Sequence, residues 1–295
     1  MRDGKRSRLL RPAILTVVAA LLLGAVAAAA VLQPPAGQSK EAAAMPTVSA
    51  AATDALQKLT TTRVYFGHQS VGQNVLDGLQ ALARRTKVAL AVAEPGPTGT
   101  GVAGTQGGVV LHSFVGQNGD PISKIHDFAA TFRGIAPQGV DVAMMKFCYV
   151  DSGNGIAADV LAHEYLAAMK ELEQAFPKTT FVYVTMPLTA PRRDIKGIVK
   201  RVLGMPTRGR EDNIERNRFN DIIRAHTRNT GRLFDLAAVE STTPNGTAYM
   251  VAVNGTLYEA LYPLYTVDGG HLNEAARLRA ADRLATFLAG LPRRR

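Results

Sequence analysis

Two short segments near opposite ends of the chain hold residues that act together in acyl-transfer chemistry. The first ends in Ser70, and the second is the run Asp268-Gly-Gly-His271. A serine hydroxyl becomes a nucleophile when an imidazole accepts its proton. Because two glycines separate Asp268 from His271, the carboxylate can fold back onto one ring nitrogen. That contact fixes the tautomer and leaves the other nitrogen to take a proton.

Each segment also has a simpler interpretation. Ser70 can be a helix cap, a common role for serine, and Asp268 with His271 can form a surface turn. A metal pair is less favoured for the second segment, because no second histidine or cysteine lies at ligand spacing. Taken one at a time, the two segments leave these alternatives open.

Apolar patterning predicts the elements that position these residues. Short β-rich runs separated by helical stretches suit strands buried on both faces of a parallel sheet. The predicted strands are Arg63–Phe66, Lys87–Ala93, Val140–Phe147, Thr180–Met186 and Arg232–Leu236. Helices are predicted over Val71–Arg85, Val160–Phe176, Glu211–Arg228 and Asn273–Ala289. The alternation predicts a doubly wound α/β sheet, whose working loops lie at the carboxyl ends of the strands.

Both candidate segments fit that edge of the sheet. Ser70 follows the first predicted strand and begins a helix, where free backbone N–H groups can stabilise an oxyanion. Asp268 and His271 lie just before the last helix. Their joint placement favours a Ser-His-Asp triad over two unrelated surface features.

With these features the chain resembles the SGNH/GDSL hydrolases, in which the nucleophilic serine follows the first strand and a D-x-x-H motif precedes the last helix. The resemblance covers nearly all of one predicted domain, residues 54–292. It implies a three-layer α/β/α sandwich, flavodoxin-like, with about five parallel strands. It also implies Ser70, Asp268 and His271 as catalytic residues and an acyl-enzyme formed without a metal or cofactor.

Two blocks depart from the family pattern. The residues at 67–70 read G-H-Q-S where the family has G-D-S, and those at 146–151 read K-F-C-Y-V-D where it has G-x-N-D. The resemblance implies oxyanion donors in the amides of Ser70 and Gly116. Asn118 or Asn154 is the candidate to replace the missing asparagine.

Several polar residues near these blocks are candidates for the pocket. They are His68, Gln69, Lys146, Asp151 and Asn154. For His68, hydrogen bonding within the turn is favoured over catalysis. Lys146 and Asp151 can either line the pocket or pair with each other. The single cysteine, Cys148, cannot form an intramolecular disulfide and is interpreted as an inert buried thiol.

Residues 1–32 predict export. Basic residues come first, and an apolar run of about 20 residues follows from Ala13 to Leu32, as in a Sec-type signal. The run is also long enough to span a bilayer, so a cleaved signal peptide and a retained transmembrane anchor both remain open. Either way the body is translocated to a periplasmic, cell-surface or extracellular location. Residues 33–53, rich in Ala, Pro and Ser, are predicted to be a flexible linker.

The net charge of +10 does not indicate nucleic-acid binding. Most of the excess lies in the first twelve residues and in the three arginines at 293–295, so little remains for the body. Seven basic residues between 192 and 210 are interpreted as a solvated surface. The alternative is a lid or a surface for acidic glycans or anionic lipid.

The sequence therefore favours an exported esterase or deacetylase that acts on a small ester or an acylated glycan. Two alternatives stay open. One is an O-acetyltransferase on cell-envelope polysaccharide, which would use the same residues. The other is a catalytically inactive SGNH-like module that binds envelope glycan. The altered block at 146–151 supports this alternative.

Overall fold

A six-stranded parallel sheet forms the middle layer of the fold. The computed structural model describes residues 48–95, 107–153, 155–191 and 211–292. The strands of the sheet are β1 (Arg63–His68), β2 (Ala91–Ala93), β3 (Val109–Phe114), β4 (Val142–Met145), β5 (Thr180–Val184) and β6 (Leu233–Phe234). They lie in the order β2-β3-β1-β4-β5-β6, and all neighbours are parallel. The carboxyl ends of the strands therefore meet at one edge.

Helices cover both faces of the sheet. They are α1 (Ala50–Leu59), α2 (Ser70–Thr86), α3 (Pro121–Ile135), α4 (Ala158–Ala175), α5 (Glu211–Thr227), α6 (Leu236–Ser241) and α7 (Glu274–Ala289). Side chains alternate across each strand, so Val64 and Phe66 of β1 join the core under α1, α2 and α7, while Tyr65 joins the core under α3, α4 and α5. Two apolar cores on one sheet give three layers, α/β/α.

This architecture confirms the predicted fold class. Leaving out the short edge strand β2, the order has the flavodoxin-like pattern 2-1-3-4-5, which is the arrangement that the resemblance to SGNH/GDSL hydrolases implied. The four predicted helices correspond to α2, α4, α5 and α7.

The strand prediction was wrong for the part of the sheet on the β3 side of β1. The predicted strand Lys87–Ala93 is only a three-residue edge strand, because Lys87 has a left-handed conformation (φ +57°) and ends α2. The neighbour of β1 is instead β3, which was not predicted. His112 and Ser113 interrupt its apolar run, so a prediction based on continuous hydrophobicity missed this strand.

Outside the main sheet, β7 (Met250–Val253) and β8 (Thr256–Glu259) form an antiparallel hairpin. Helix α1 begins at Ala50, so the last residues of the range predicted as a linker are helical. None of the helices in the described part of the chain is long and apolar enough to cross a bilayer. The predicted signal or anchor at 1–32 and the basic stretch from 192 to 210 lie outside the described residues.

Candidate active site

Ser70 is the first residue of α2, directly after β1. The N-cap position belongs to Gln69, whose side chain does not cap the helix, so Ser70 does not have the capping role. The Gln69 amide group instead donates to the carbonyls of Val115 (3.1 Å) and Gly116 (3.0 Å). The partly exposed Ser70 hydroxyl lies 3.6 Å from the sulfur of Cys148. Ser70 lies at the N-terminus of α2, where the first backbone N–H groups have no acceptor within the helix.

Asp268 and His271 form a close pair. His271 Nδ1 lies 2.5 Å from Asp268 Oδ2, and Asp268 Oδ1 accepts from the amides of Gly270 (2.9 Å) and His271 (2.8 Å). The turn uses a left-handed φ of +91° at Gly269, which favours glycine. Partial desolvation raises the pKa of the Asp268 carboxyl, but the hydrogen bonds from His271 and from the two amides outweigh it. The resulting pKa lies well below its usual range, and an ionised carboxylate here holds the Nδ1–H tautomer.

Contacts through α2 and through the segment after β4 bring Ser70 and His271 to the same edge of the sheet. The amide of Leu272, next to His271, donates to Asn74 Oδ1 at 2.9 Å. Asn74 lies one helical turn after Ser70, on the same side of α2. On the other side, Cys148 contacts Ser70, and the ring of the adjacent Tyr149 packs against that of His271 with centroids 5.5 Å apart.

The block after β4 is built around a buried ion pair. Lys124 Nζ lies 2.6 Å from Asp151 Oδ2, and both side chains are completely buried. Asp151 also accepts from the amides of Gly119 (2.9 Å) and Cys148 (2.6 Å). Of the two alternatives for Lys146 and Asp151, the ion pair between them is not formed: Asp151 pairs with Lys124, and the buried Lys146 ammonium donates to the Phe147 carbonyl at 2.8 Å. Neither Lys146 nor Asp151 lines an open pocket.

The two predicted oxyanion donors from the β3–α3 loop differ in availability. The Gly116 amide donates to Asp127 Oδ2 at 2.7 Å, so it is engaged and not free for an oxyanion. Asn118 Oδ1 accepts from Lys124 Nζ at 3.0 Å. Because an ammonium can only donate, this contact fixes the amide orientation and leaves Asn118 Nδ2 for another acceptor. Asn154 lies outside the described residues.

His68 contacts the turn between β1 and α2, just before Ser70. It is fully buried, with Nδ1 3.1 Å from the Gln69 carbonyl and Nε2 3.1 Å from His112 Nδ1. Burial is the main cause that lowers the pKa of His68 to about 3. The neutral ring donates from Nδ1 to the carbonyl and accepts at Nε2 from His112. This hydrogen bond to the turn agrees with the structural interpretation of His68.

Lys146, just after β4, and Glu240 on α6 form a second pair of buried ionisable groups. Burial lowers the pKa of Lys146 to about 8 and raises the pKa of Glu240 to about 8. Glu240 Oε2 accepts from the Leu188 amide at 2.6 Å. The raised pKa favours the protonated carboxyl of Glu240 in the folded protein.

This raised pKa predicts how Glu240 affects stability. Between its ordinary pKa of 4.5 and the folded value of about 8, the folded state binds a proton that the unfolded state has lost. Glu240 therefore makes the free energy of unfolding fall as pH rises across this window. We expect Glu240→Gln to flatten the decline in melting temperature measured between pH 5 and pH 8. Glu164→Gln, at an exposed position of α4, is the control, and equal slopes in both variants would contradict the assignment.

Four residues of the site region were not assigned a role from the sequence. They are Asn74, Lys124, Tyr149 and Arg216, which act through contacts to chain segments distant in sequence. Cys148 was assigned only a buried structural role, whereas its sulfur contacts the Ser70 hydroxyl. The one feature of the sequence that could have indicated a role for Cys148 and Tyr149 was their position in the block after β4.

Comparisons with known proteins give matches only among solved structures. No family model matches the chain, and no curated protein does. A structure from Desulfitobacterium hafniense, described as a lipolytic protein of the G-D-S-L family, matches with 8% identity and a TM-score of 0.40, over 77% of this chain and 99% of that one. One from Streptococcus pneumonia, described as a platelet activating factor, matches with 11% identity and a TM-score of 0.38, over 73% and 91%. At TM-scores below 0.5 the fold assignment rests on the strand order and layers given above.

Proposed function

We propose that the chain is a divergent SGNH/GDSL-type serine hydrolase that cleaves an ester bond through an acyl-enzyme on Ser70. One observation carries the proposal. The imidazole of His271, held at 2.5 Å by Asp268, lies at the same sheet edge as a serine hydroxyl at the start of a helix. A nucleophile, a base and a group that orients the base form the combination that acyl transfer needs.

In the first half-reaction, His271 Nε2 takes the proton of Ser70 as the serine oxygen attacks the ester carbonyl carbon. Asp268 accepts the hydrogen bond from Nδ1 and balances the charge of the imidazolium. The tetrahedral intermediate then collapses, the bond to the alcohol oxygen breaks, and His271 returns the proton to that oxygen. Water, activated by the same imidazole, releases the acid and restores Ser70.

The oxyanion is stabilised in this proposal by the Ser70 amide and by the side-chain Nδ2 of Asn118. The helix start supports the first donor, and the fixed orientation of the Asn118 amide supports the second. The Gly116 amide has no part in it, because Asp127 engages it. A missing donor typically costs about 10²–10³ in kcat, so we expect a slower enzyme than a site with three donors.

The substrate we propose is a small ester or an acylated glycan. The export signal predicted at 1–32 would place that substrate outside the cytoplasm. Acyl transfer to a sugar would proceed through the same acyl-enzyme. Measuring the products in the presence of a polysaccharide acceptor distinguishes a hydrolase from a transferase, because a transferase would acylate the sugar in preference to water. A glycan-binding module without activity is the competing candidate, favoured by the engaged amide of Gly116.

Labelling with a fluorophosphonate tests the proposal directly. The probe phosphonylates a serine only when the hydroxyl is activated, with loss of fluoride. We expect the full-length protein to be labelled and His271→Ala to lose the label, since the base is then missing. His163→Ala, an exposed histidine on α4, should label like the wild type. An unlabelled wild-type protein would instead favour the binding module.

A further inference from the structure

The side chain of Tyr149 packs against the turn that carries His271. The two rings lie 5.5 Å apart at an interplanar angle of 76°. The ring also lies against Gly270. A Cβ at that glycine would approach the Cε1 and Cζ atoms of Tyr149 to 2.7 Å and its hydroxyl oxygen to 3.0 Å, closer than non-bonded atoms tolerate.

The backbone of Tyr149 is held from the opposite side by a buried arginine. Arg216 on α5 is 2% exposed and donates to the Tyr149 carbonyl from Nε (2.9 Å) and Nη2 (2.6 Å). Its Nη1 donates to Thr189 Oγ1 (2.8 Å) and Asn213 Oδ1 (2.7 Å). Such a set of charge-assisted hydrogen bonds leaves the backbone at Tyr149 little freedom to move.

The imidazole itself is held less completely than the backbone around it. The Gly269 carbonyl accepts from the Ala190 amide at 2.8 Å, and the Leu272 amide donates to Asn74. The side chains of His271 and Asp268, in contrast, are 36% and 49% exposed, and their contact joins one atom of each. A single hydrogen bond allows the ring to rotate about that atom. A side chain packed beside the ring can therefore restrict its orientation.

We propose that Tyr149 is a positioning residue for His271, and that position 270 is a glycine because this ring occupies the space of a side chain. In this proposal the ring limits the rotation of the imidazole so that Nε2 can reach the Ser70 hydroxyl, while Arg216 holds the backbone that carries the ring. This inference rests on the proposed function, since it assigns the ring a role in the same reaction.

A double-mutant cycle between Tyr149 and Gly270 tests the proposal in the full-length protein, with a short-chain aryl ester. A misplacement of about 1 Å can cost about 10²-fold in rate. We expect Tyr149→Ala to lower kcat by about 10- to 100-fold and to change KM by less than about threefold. Tyr149→Phe should keep kcat within about threefold, because the ring remains.

Gly270→Ala provides the second arm of the cycle. Gly270 lacks the positive φ of Gly269, and the three atoms nearest to its added methyl group all belong to Tyr149. We expect Gly270→Ala to lower kcat by about tenfold or more in the wild type and by less than about twofold in Tyr149→Ala. Tyr258→Ala, a partly buried tyrosine of the β7–β8 hairpin, controls for the loss of a ring.

The outcomes separate this inference from the proposed function. A wild-type protein with no esterase activity and no fluorophosphonate labelling overturns both. An active wild type whose kcat survives Tyr149→Ala, or in which Gly270→Ala costs the same in both backgrounds, overturns the positioning role alone. Should Tyr149→Ala not fold, the single variant Gly270→Ala decides, because an unchanged kcat would show that displacing the ring does not matter.

Discussion

Ser70→Ala is expected to lower kcat for a short-chain aryl ester by about 10⁴-fold or more, because it removes the atom that forms the covalent bond in the proposed mechanism. What rate remains would come from the oxyanion donors acting on a direct attack by water. KM should change little, since the hydroxyl contributes less to ground-state binding than to the covalent step. The measurement is steady-state hydrolysis together with fluorophosphonate labelling, which the variant should lose entirely.

The control for this experiment is another serine of the same domain. Ser49→Ala removes the hydroxyl that caps α1, beside Leu82 and Arg85 near the far end of α2. It should cost about 1 kcal/mol of stability and leave kcat unchanged. The triad assignment is wrong if Ser70→Ala hydrolyses the ester as fast as the wild type. Melting curves of both variants show whether a decrease in kcat is due to unfolding.

Asp151→Ala is expected to produce the largest loss of stability, about 3–5 kcal/mol, because it leaves the ammonium of Lys124 buried without its counter-charge. The amides of Gly119 and Cys148 lose their acceptor at the same time. For a domain of this size the melting temperature should fall by roughly 6–20 °C. Thermal or denaturant unfolding at neutral pH measures the effect.

A surface ion pair supplies the comparison. Arg133 and Glu171 also form an ion pair, but their side chains are 43% and 69% exposed. Glu171→Ala should cost less than about 1 kcal/mol, because solvent already screens that charge. Similar losses in the two variants would mean that the buried position of Asp151 contributes nothing special.

The strands and helices that were predicted correctly are those whose pattern depends on residues close together in the sequence. Strands β1, β4 and β5 each contain a short apolar run (Val64–Phe66, Val142–Met145 and Phe181–Val184), and α2, α4 and α7 show helical spacing with clear ends. These patterns depend only on neighbouring residues, so they were recognised without the fold. The missed elements carry mixed signals, as in β3, where His112 and Ser113 interrupt the apolar run.

The same distinction holds for the site. The Asp268–His271 contact spans three residues and follows from a turn chemistry that the two glycines permit. The partner of Asp151 was not predicted, because Lys124 lies 27 residues away, on α3. The engagement of the Gly116 amide by Asp127 was likewise missed.

Periodicity and turn formation are properties of short segments, so the α/β architecture and the candidate reactive residues could be predicted from the sequence. Which of those groups are free to act depends on the fold. A buried donor or charge must find a partner, and which partner it finds depends on how distant segments pack. That packing engages Gly116, buries Lys146 and Asp151, and brings Cys148 and Tyr149 beside Ser70 and His271.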